Sequence, residues 1–201
     1  MISKLKPTVG RLLSEPFVRV LAKIGISPNA LTVIGFFLNV FTGWMLATGH
    51  LFAGGFLVLF SGWFDMLDGA MARLLGKPTR FGALLDSAID RLSEAALFLG
   101  LILFYADRGD TLEIALAFVA IIGSIMVSYT RARAEGLGLK CEVGLLARPE
   151  RVALLALGLL LTEVSLTALL VILWIIAIGA NLTALRRLHY CWQQSKDSDT
   201  V

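Results

Sequence analysis

With 201 residues, 57% of them hydrophobic and only 16% charged, and a mean hydropathy of +0.81, the chain is too apolar for a soluble globular domain and reads as an integral membrane protein. No nucleic-acid partner is expected at a formal net charge of +3; the expected partner is the lipid bilayer.

In chain order, residues 1–25 set Lys4, Lys6, Arg11, Arg19 and Lys23 among apolar residues that include Leu12, Leu13, Phe17, Val18 and Val20. The pattern predicts an amphipathic helix lying on an anionic leaflet, the alternative being a solvated basic tail. No signal-peptide h-region is present in it. Apolar segments follow at about 30–49, 51–64, 82–105, 111–129, 152–162 and 166–185. Most approach the roughly 20 residues needed to cross hydrocarbon, and the short segment at 152–162 is expected to begin earlier, near Pro149. The expected fold is therefore all-α, an integral membrane protein with six transmembrane helices. These form one catalytic domain, residues 26–192, preceded by the interfacial helix and followed by a polar tail, residues 193–201.

Short cytoplasmic loops retain Lys and Arg, which sets the orientation. With the N-terminus in the cytoplasm, all 18 basic residues except Arg91 and Arg108 fall on that side. Both termini and the stretch from 64 to 91 are then cytoplasmic, in a multi-pass protein of the cell membrane. Cys141 and Cys191 lie on the same side, where thiols stay reduced, and are read as neither a disulfide nor a metal site.

That stretch, "FDMLDGAMARLLGKPTRFGALLDSAIDR", carries Asp65, Asp68, Asp86 and Asp90. The second span is expected to run from about Phe52 to a stop at Gly76 and Pro78, and the third to start around Arg80. Asp65 and Asp68 are then i and i+3 on one helix face, and Gly82, Asp86 and Asp90 are each four apart on the next. Asp90 is the deepest of the four. One charged side chain at a helix centre costs about 2.5 to 3.5 kcal/mol, and four would cost roughly 10 kcal/mol or more, so something must compensate them. Arg73, Lys77, Arg80 and Arg91 could do so as ion pairs. A pair of divalent cations accounts for four carboxylates better: hard oxygen donors with no nearby His or Cys favour Mg2+ or Mn2+ over zinc. Two such ions about 3.5 to 4 Å apart can clamp the oxygens of a displacement at phosphorus. Gly69 and Ala72 beside the carboxylates, and Gly82 opposite, would let a substrate approach the backbone; the alternative is that they are helix-packing contacts.

The segment "DMLDGAMARLLGKPTRFGALLDSAID" resembles the CDP-alcohol phosphatidyltransferase family, whose pattern is DxxDGxxAR, eight residues, then GxxxDxxxD. The resemblance implies transfer of a phosphatidyl group from a CDP-linked lipid to an alcohol with release of CMP. It implies that Asp65, Asp68 and Asp86 hold the metals, and that Asp90 both contacts metal and takes the acceptor proton. It also assigns cytidine and diphosphate contacts to Gly69, Arg73 and Thr79 and to Asn29, Ala30, Leu31 and Thr32, with Ala72 and Gly82 alongside, and implies a homodimer. For "SPNALT" alone, the residues fit either ligand contact or a helix start with Asn29 as N-cap.

Arg131, Arg133, Arg148, Arg151 and Arg187 lie at one cytoplasmic depth in "SYTRARAEGLGL", "ARPER" and "RRLHYCW". They read as positive-inside anchors or, facing a two-metal site, as a reader of an acceptor phosphate. The three stretches resemble those of phosphatidylinositol phosphate synthases, which implies inositol phosphate as acceptor. The chain departs from that branch at Arg131, where lysine is expected, and at Ala147, where an acidic residue is common. Glycerol 3-phosphate is the alternative acceptor. The lipid tails are diacyl or archaeal ether chains. Outside this class, an ion transporter would also carry intramembrane carboxylates, but on several helices and at the midplane. A non-catalytic membrane scaffold is the remaining alternative. A polyprenyl transferase would have adjacent aspartates rather than DxxD.

Overall fold

The structure, a computed structural model, describes residues 16–76, 79–141 and 143–199, and every regular element among them is helical. The helices are α1 (16–23), α2 (Pro28–Ala47), α3 (Leu51–Leu74), α4 (Arg80–Arg108), α5 (Thr111–Gly136), α6 (Arg148–Leu160) and α7 (Leu166–Asp199), with a 3-10 turn, Leu161–Glu163, after α6. Residues 1–15, with Lys4, Lys6, Arg11, Leu12 and Leu13, lie outside the described residues, as do Lys77 and Pro78.

Local chemistry sets the helix ends. Ser27, not Asn29, caps α2: its hydroxyl accepts from the Ala30 N–H at 3.2 Å, and Pro28 takes the first helical position. Proline suits that position because its missing N–H would have had no intrahelical partner. Thr79 caps α4 in the same way, accepting from the Gly82 N–H at 2.9 Å. α7 does not stop where the apolar sequence does. It continues through the polar residues 193–199, supported by Gln193 on His189 at 2.9 Å and by Lys196 over the Trp192 ring at 3.9 Å.

The helix neighbours close a ring: α2 packs on α4, α4 on α5, α5 on α7, α7 on α6, α6 on α3, and α3 back on α2. Gly43 and Gly100 let α2 and α4 approach backbone to backbone, since a Cβ at 100 would run into the Gly43 main chain. The main core, including Leu46, Val58, Leu97, Phe98, Leu101, Leu155, Leu159, Leu173 and Ile176, fills the ring on the side away from the aspartates. α1 adds a smaller cluster, burying Val18 against Leu31, Leu67 and Met71 while Phe17 and Val20 stay exposed.

Four of the helices, α2, α3, α5 and α7, are long and apolar enough to cross a membrane. α4 has the length, 29 residues, but its first half carries Arg80, Asp86, Asp90, Arg91 and Glu94. α6 has 13 residues and is extended only by the 3-10 turn.

Residues 137–141 and 143–147 fold onto α7. Leu146 N–H reaches the Thr183 hydroxyl at 3.3 Å, Arg187 Nε donates to the Val143 carbonyl at 2.8 Å, and Gln194 donates to the Lys140 carbonyl at 2.9 Å. Cys141 is buried there, and burial together with a hydrogen bond involving Cys191 pushes its thiol up to about 11.

Candidate active site

The carboxylates sit where α3 and α4 meet the first turns of α2 and α6. Asp68 is buried; the Thr32 hydroxyl of α2 donates to its Oδ2 at 2.7 Å, and the Gly69 N–H donates to its Oδ1. Asp65, one turn earlier, receives Arg148 Nη2 at 2.8 Å. The same guanidinium reaches Asp90 of α4 through Nη1 at 2.9 Å, so one cation joins both aspartate helices. Asp86 lies half-buried one turn before Asp90 and lines the neighbouring cavity.

That cavity, about 370 Å³, is open on one side and is lined by Ser27, Pro28, Asn29, Thr32, Asp68, Gly69, Ala72, Arg73, Leu75, Thr79, Gly82, Ala83 and Asp86. It gathers seven of the nine residues that the family resemblance places at the CDP-lipid: Asn29, Thr32, Gly69, Ala72, Arg73, Thr79 and Gly82. Leu31 is not among them because it is buried in the small core under α1, and the Ala30 N–H is taken by Ser27. Gly82 is a cradle position: a Cβ there would lie 2.9 Å from Thr79 Oγ1 and 3.1 Å from Asn29 Oδ1. Arg73 folds back over Gly69, its Nη1 3.4 Å from where a Cβ would be.

The arginines divide. Among the described residues Arg148 is the arginine that meets the aspartates, and its Nε is buried without a protein partner. Arg151, one turn on, is 1% exposed and is held by Glu94 through two parallel bonds of 2.7 Å, with a third to the Leu146 carbonyl at 3.0 Å. Arg187 is buried as well, donating to the carbonyls of Val143 and Val127. Arg131 and Arg133 are exposed on the last turns of α5, Arg131 in an i,i+4 pair with Glu135 at 2.8 Å. Arg91 bonds to the Ser87 and Ser128 carbonyls rather than to an aspartate.

Among the described residues, no three acidic, imidazole or thiol side chains are drawn together as a finished metal cage. The donor set nonetheless fits a hard divalent cation: it is all carboxylate, two members already share one positive charge, and a third is oriented by Thr32 and Gly69. A cation bound by Asp65 and Asp90 would share them with Arg148 or displace it.

A family model described as CDP-alcohol phosphatidyltransferase matches residues 25–185. The chain belongs to the CDP-alcohol phosphatidyltransferase family. It is 37% identical to a phosphatidylinositol phosphate synthase from Mycobacterium marinum over 94% of this chain and 83% of that protein. It is 36% identical to an archaetidylinositol phosphate synthase from Pyrococcus horikoshii, over 94% of this chain and 99% of that one. The Mycobacterium tuberculosis phosphatidylinositol phosphate synthase, solved with CDP-DAG bound, superposes with a TM-score of 0.85 at 36% identity, covering 89% of this chain and 93% of that one. The same protein has been solved with manganese and citrate.

In this CDP-alcohol phosphatidyltransferase, sequence reasoning missed Ser27, Pro28, Leu75 and Ala83 on the cavity wall, and Glu94 behind the site. Ser27 had a legible signal, a Ser directly before Pro at a helix start. So did Glu94, which extends the four-residue spacing of Gly82, Asp86 and Asp90 by one more turn.

Proposed function

We propose that this chain transfers the phosphatidyl, or archaetidyl, group of a CDP-linked lipid to inositol phosphate and releases CMP. The observation that carries the reading is the open cavity, whose wall includes Asp68 and Asp86 together with Asn29, Arg73, Thr79 and Gly82. It offers a nucleotide hydrogen-bonding side chains and a positive charge directly beside carboxylates that would hold metal. Inositol phosphate as acceptor is supported by the phosphatidylinositol and archaetidylinositol phosphate synthases among its relatives.

In this reading Asp65, Asp68, Asp86 and Asp90 hold two divalent ions, Mg2+ or Mn2+, which when bound neutralise the diphosphate and the departing CMP. Asn29, Thr79 and Arg73 bind the donor nucleotide, and Gly82 leaves room for it. Asp90 takes the proton from the acceptor hydroxyl as its oxygen attacks the lipid-bearing phosphorus. The P–O bond to CMP breaks, and CMP leaves with the electron pair. Arg148, with an uncommitted buried Nε, is the arginine assigned to the acceptor phosphate, with Arg133 and Arg131 at the outer rim. Six spans are part of the same proposal: α4 and α6 belong to the one helix ring, and the charges of α4 lie in the half that lines the site. The site and both termini face the cytoplasm on this reading, as the distribution of Lys and Arg requires.

The test is CMP release by the purified protein from radiolabelled CDP-diacylglycerol with Mg2+, comparing inositol phosphate, free inositol and glycerol 3-phosphate. Inositol phosphate should be preferred over free inositol at least about tenfold, because free inositol offers the arginines no anion, and it should also be used ahead of glycerol 3-phosphate. Equal use of free inositol, or preference for glycerol 3-phosphate, overturns the acceptor assignment.

A further inference from the structure

α4 and α6 are not packed neighbours in the helix ring. Both feed the one apolar core, and two side-chain ties one turn apart run between them: Arg148 to Asp90 at 2.9 Å, and Arg151 to Glu94 through two bonds of 2.7 Å. The outer tie is only partly exposed and lies at the reacting carboxylates. The inner one is closed to solvent, with Arg151 side-chain exposure at 1% and Glu94 at 7%, and its third donor holds the Leu146 carbonyl just before α6 begins.

We infer that Glu94 is a positioning residue for the transfer reaction: by clamping Arg151 it fixes the first turn of α6, and so the place of Arg148, against Asp90. The inference rests on the phosphatidyl-transfer reading above. A planar guanidinium gripped by a carboxylate at two points cannot rotate or slide without losing both bonds, which makes the inner pair a register pin across the ring. Pro149 and Arg148 open α6 with no side-chain cap, since Ala147 has none to offer. The helix start is therefore held by side-chain contacts, of which Arg151 supplies two across to Glu94 and one local bond to the Leu146 carbonyl.

Glu94→Gln is the decisive variant, because glutamine turns one acceptor of the fork into an NH2 group facing a guanidinium N–H. With CDP-diacylglycerol, Mg2+ and inositol phosphate, its kcat/KM for the acceptor should fall roughly 10- to 100-fold, the loss expected for displacement of a reacting constellation by about an ångström. Its KM for CDP-diacylglycerol should stay within about twofold, since the donor cavity is built on the other helices. Glu94→Asp should recover part of the loss. The effects of Glu94→Gln and Arg151→Lys should be non-additive in a double-mutant cycle, because both break one pair.

A second variant separates positioning from folding. Glu94→Leu with Arg151→Met replaces a buried ion pair by apolar side chains, a change that commonly keeps or raises stability. It should give a monodisperse protein with an unchanged or higher thermal midpoint and the same acceptor defect. Full acceptor kcat/KM in this double variant, or a Glu94→Gln protein altered only in thermal midpoint, overturns the inference. A parent protein that releases no CMP with any of the three acceptors overturns the transferase reading instead.

Discussion

The wall formed by α2, α3 and the start of α4 differs from the wall formed by α5, α6 and α7. On the first, Asn29, Arg73, Thr79 and Gly82 surround open space of about 370 Å³, and helix capping by Ser27 leaves the Asn29 side chain to that space. On the second, Arg151 and Arg187 are buried and donate to Glu94 and to the carbonyls of Leu146, Val143 and Val127. The contrast teaches that a functional-looking arginine has to be judged by where its donors go. Arg73 on the open wall can meet a ligand, whereas the buried Arg151 and Arg187 of the closed wall spend their donors on Glu94 and on main-chain carbonyls. Arg148 stands between the two walls, tied to Asp65 and Asp90 and keeping one donor unspent.

The largest expected effect is at the carboxylates that both walls share. Asp65→Asn, Asp68→Asn and Asp86→Asn should each abolish metal-dependent CMP release with membrane insertion intact; normal turnover by any of them with Mg2+ present would take that residue out of the ligand set. Asp90→Asn should lower kcat roughly 10²- to 10⁴-fold, the usual range for a lost general base, while calorimetry still detects CDP-lipid binding. Loss of that binding would make Asp90 chiefly a metal ligand.

Next in size is Arg148→Ala. Losing a charge-assisted contact worth roughly 1.5 to 3 kcal/mol should raise the acceptor KM about 10- to 100-fold and leave the KM for CDP-lipid nearly unchanged. Steady-state kinetics on both substrates locate it: a defect confined to CDP-lipid would move Arg148 onto the donor wall. Gly82→Ala should act on the donor alone. Its methyl would stand 2.9 Å from Thr79 Oγ1 and 3.1 Å from Asn29 Oδ1. The resulting rise in the CDP-lipid KM should be about 3- to 10-fold, in line with the 1 kcal/mol or so that overpacking costs, and an unchanged KM would show that this part of the cavity is unused.

The smallest effect is on no rate of turnover but tests how closed the second wall is. With its thiol pushed up to about 11, Cys141 should be only about one part in a thousand thiolate at pH 8, so iodoacetamide should label it far more slowly than a free peptide thiol and faster as the pH rises toward 11. Rapid labelling at pH 8 in folded protein would mean that the 137–147 loop opens.

The donor wall was legible because its information is local. Asp65 and Asp68 at i,i+3 and Gly82, Asp86 and Asp90 at fours are set by helical periodicity, so sequence spacing alone puts them on shared faces, while Gly69 and Arg73 were reached as donor contacts through the family resemblance. The membrane class and helix positions follow from apolar runs in the same way, although the N-cap of α2 fell two residues before Asn29, where Ser27 meets Pro28. The pairings of the arginines are another matter. Arg148 finds Asp65 across 83 residues and Arg151 finds Glu94 across 57. No periodicity links such positions, and five arginines at one depth looked alike in the sequence. Which of them is buried, which holds a carbonyl and which reaches a carboxylate was decided only when the ring of helices closed, because burial and side-chain reach depend on how α4, α6 and α7 are turned toward one another.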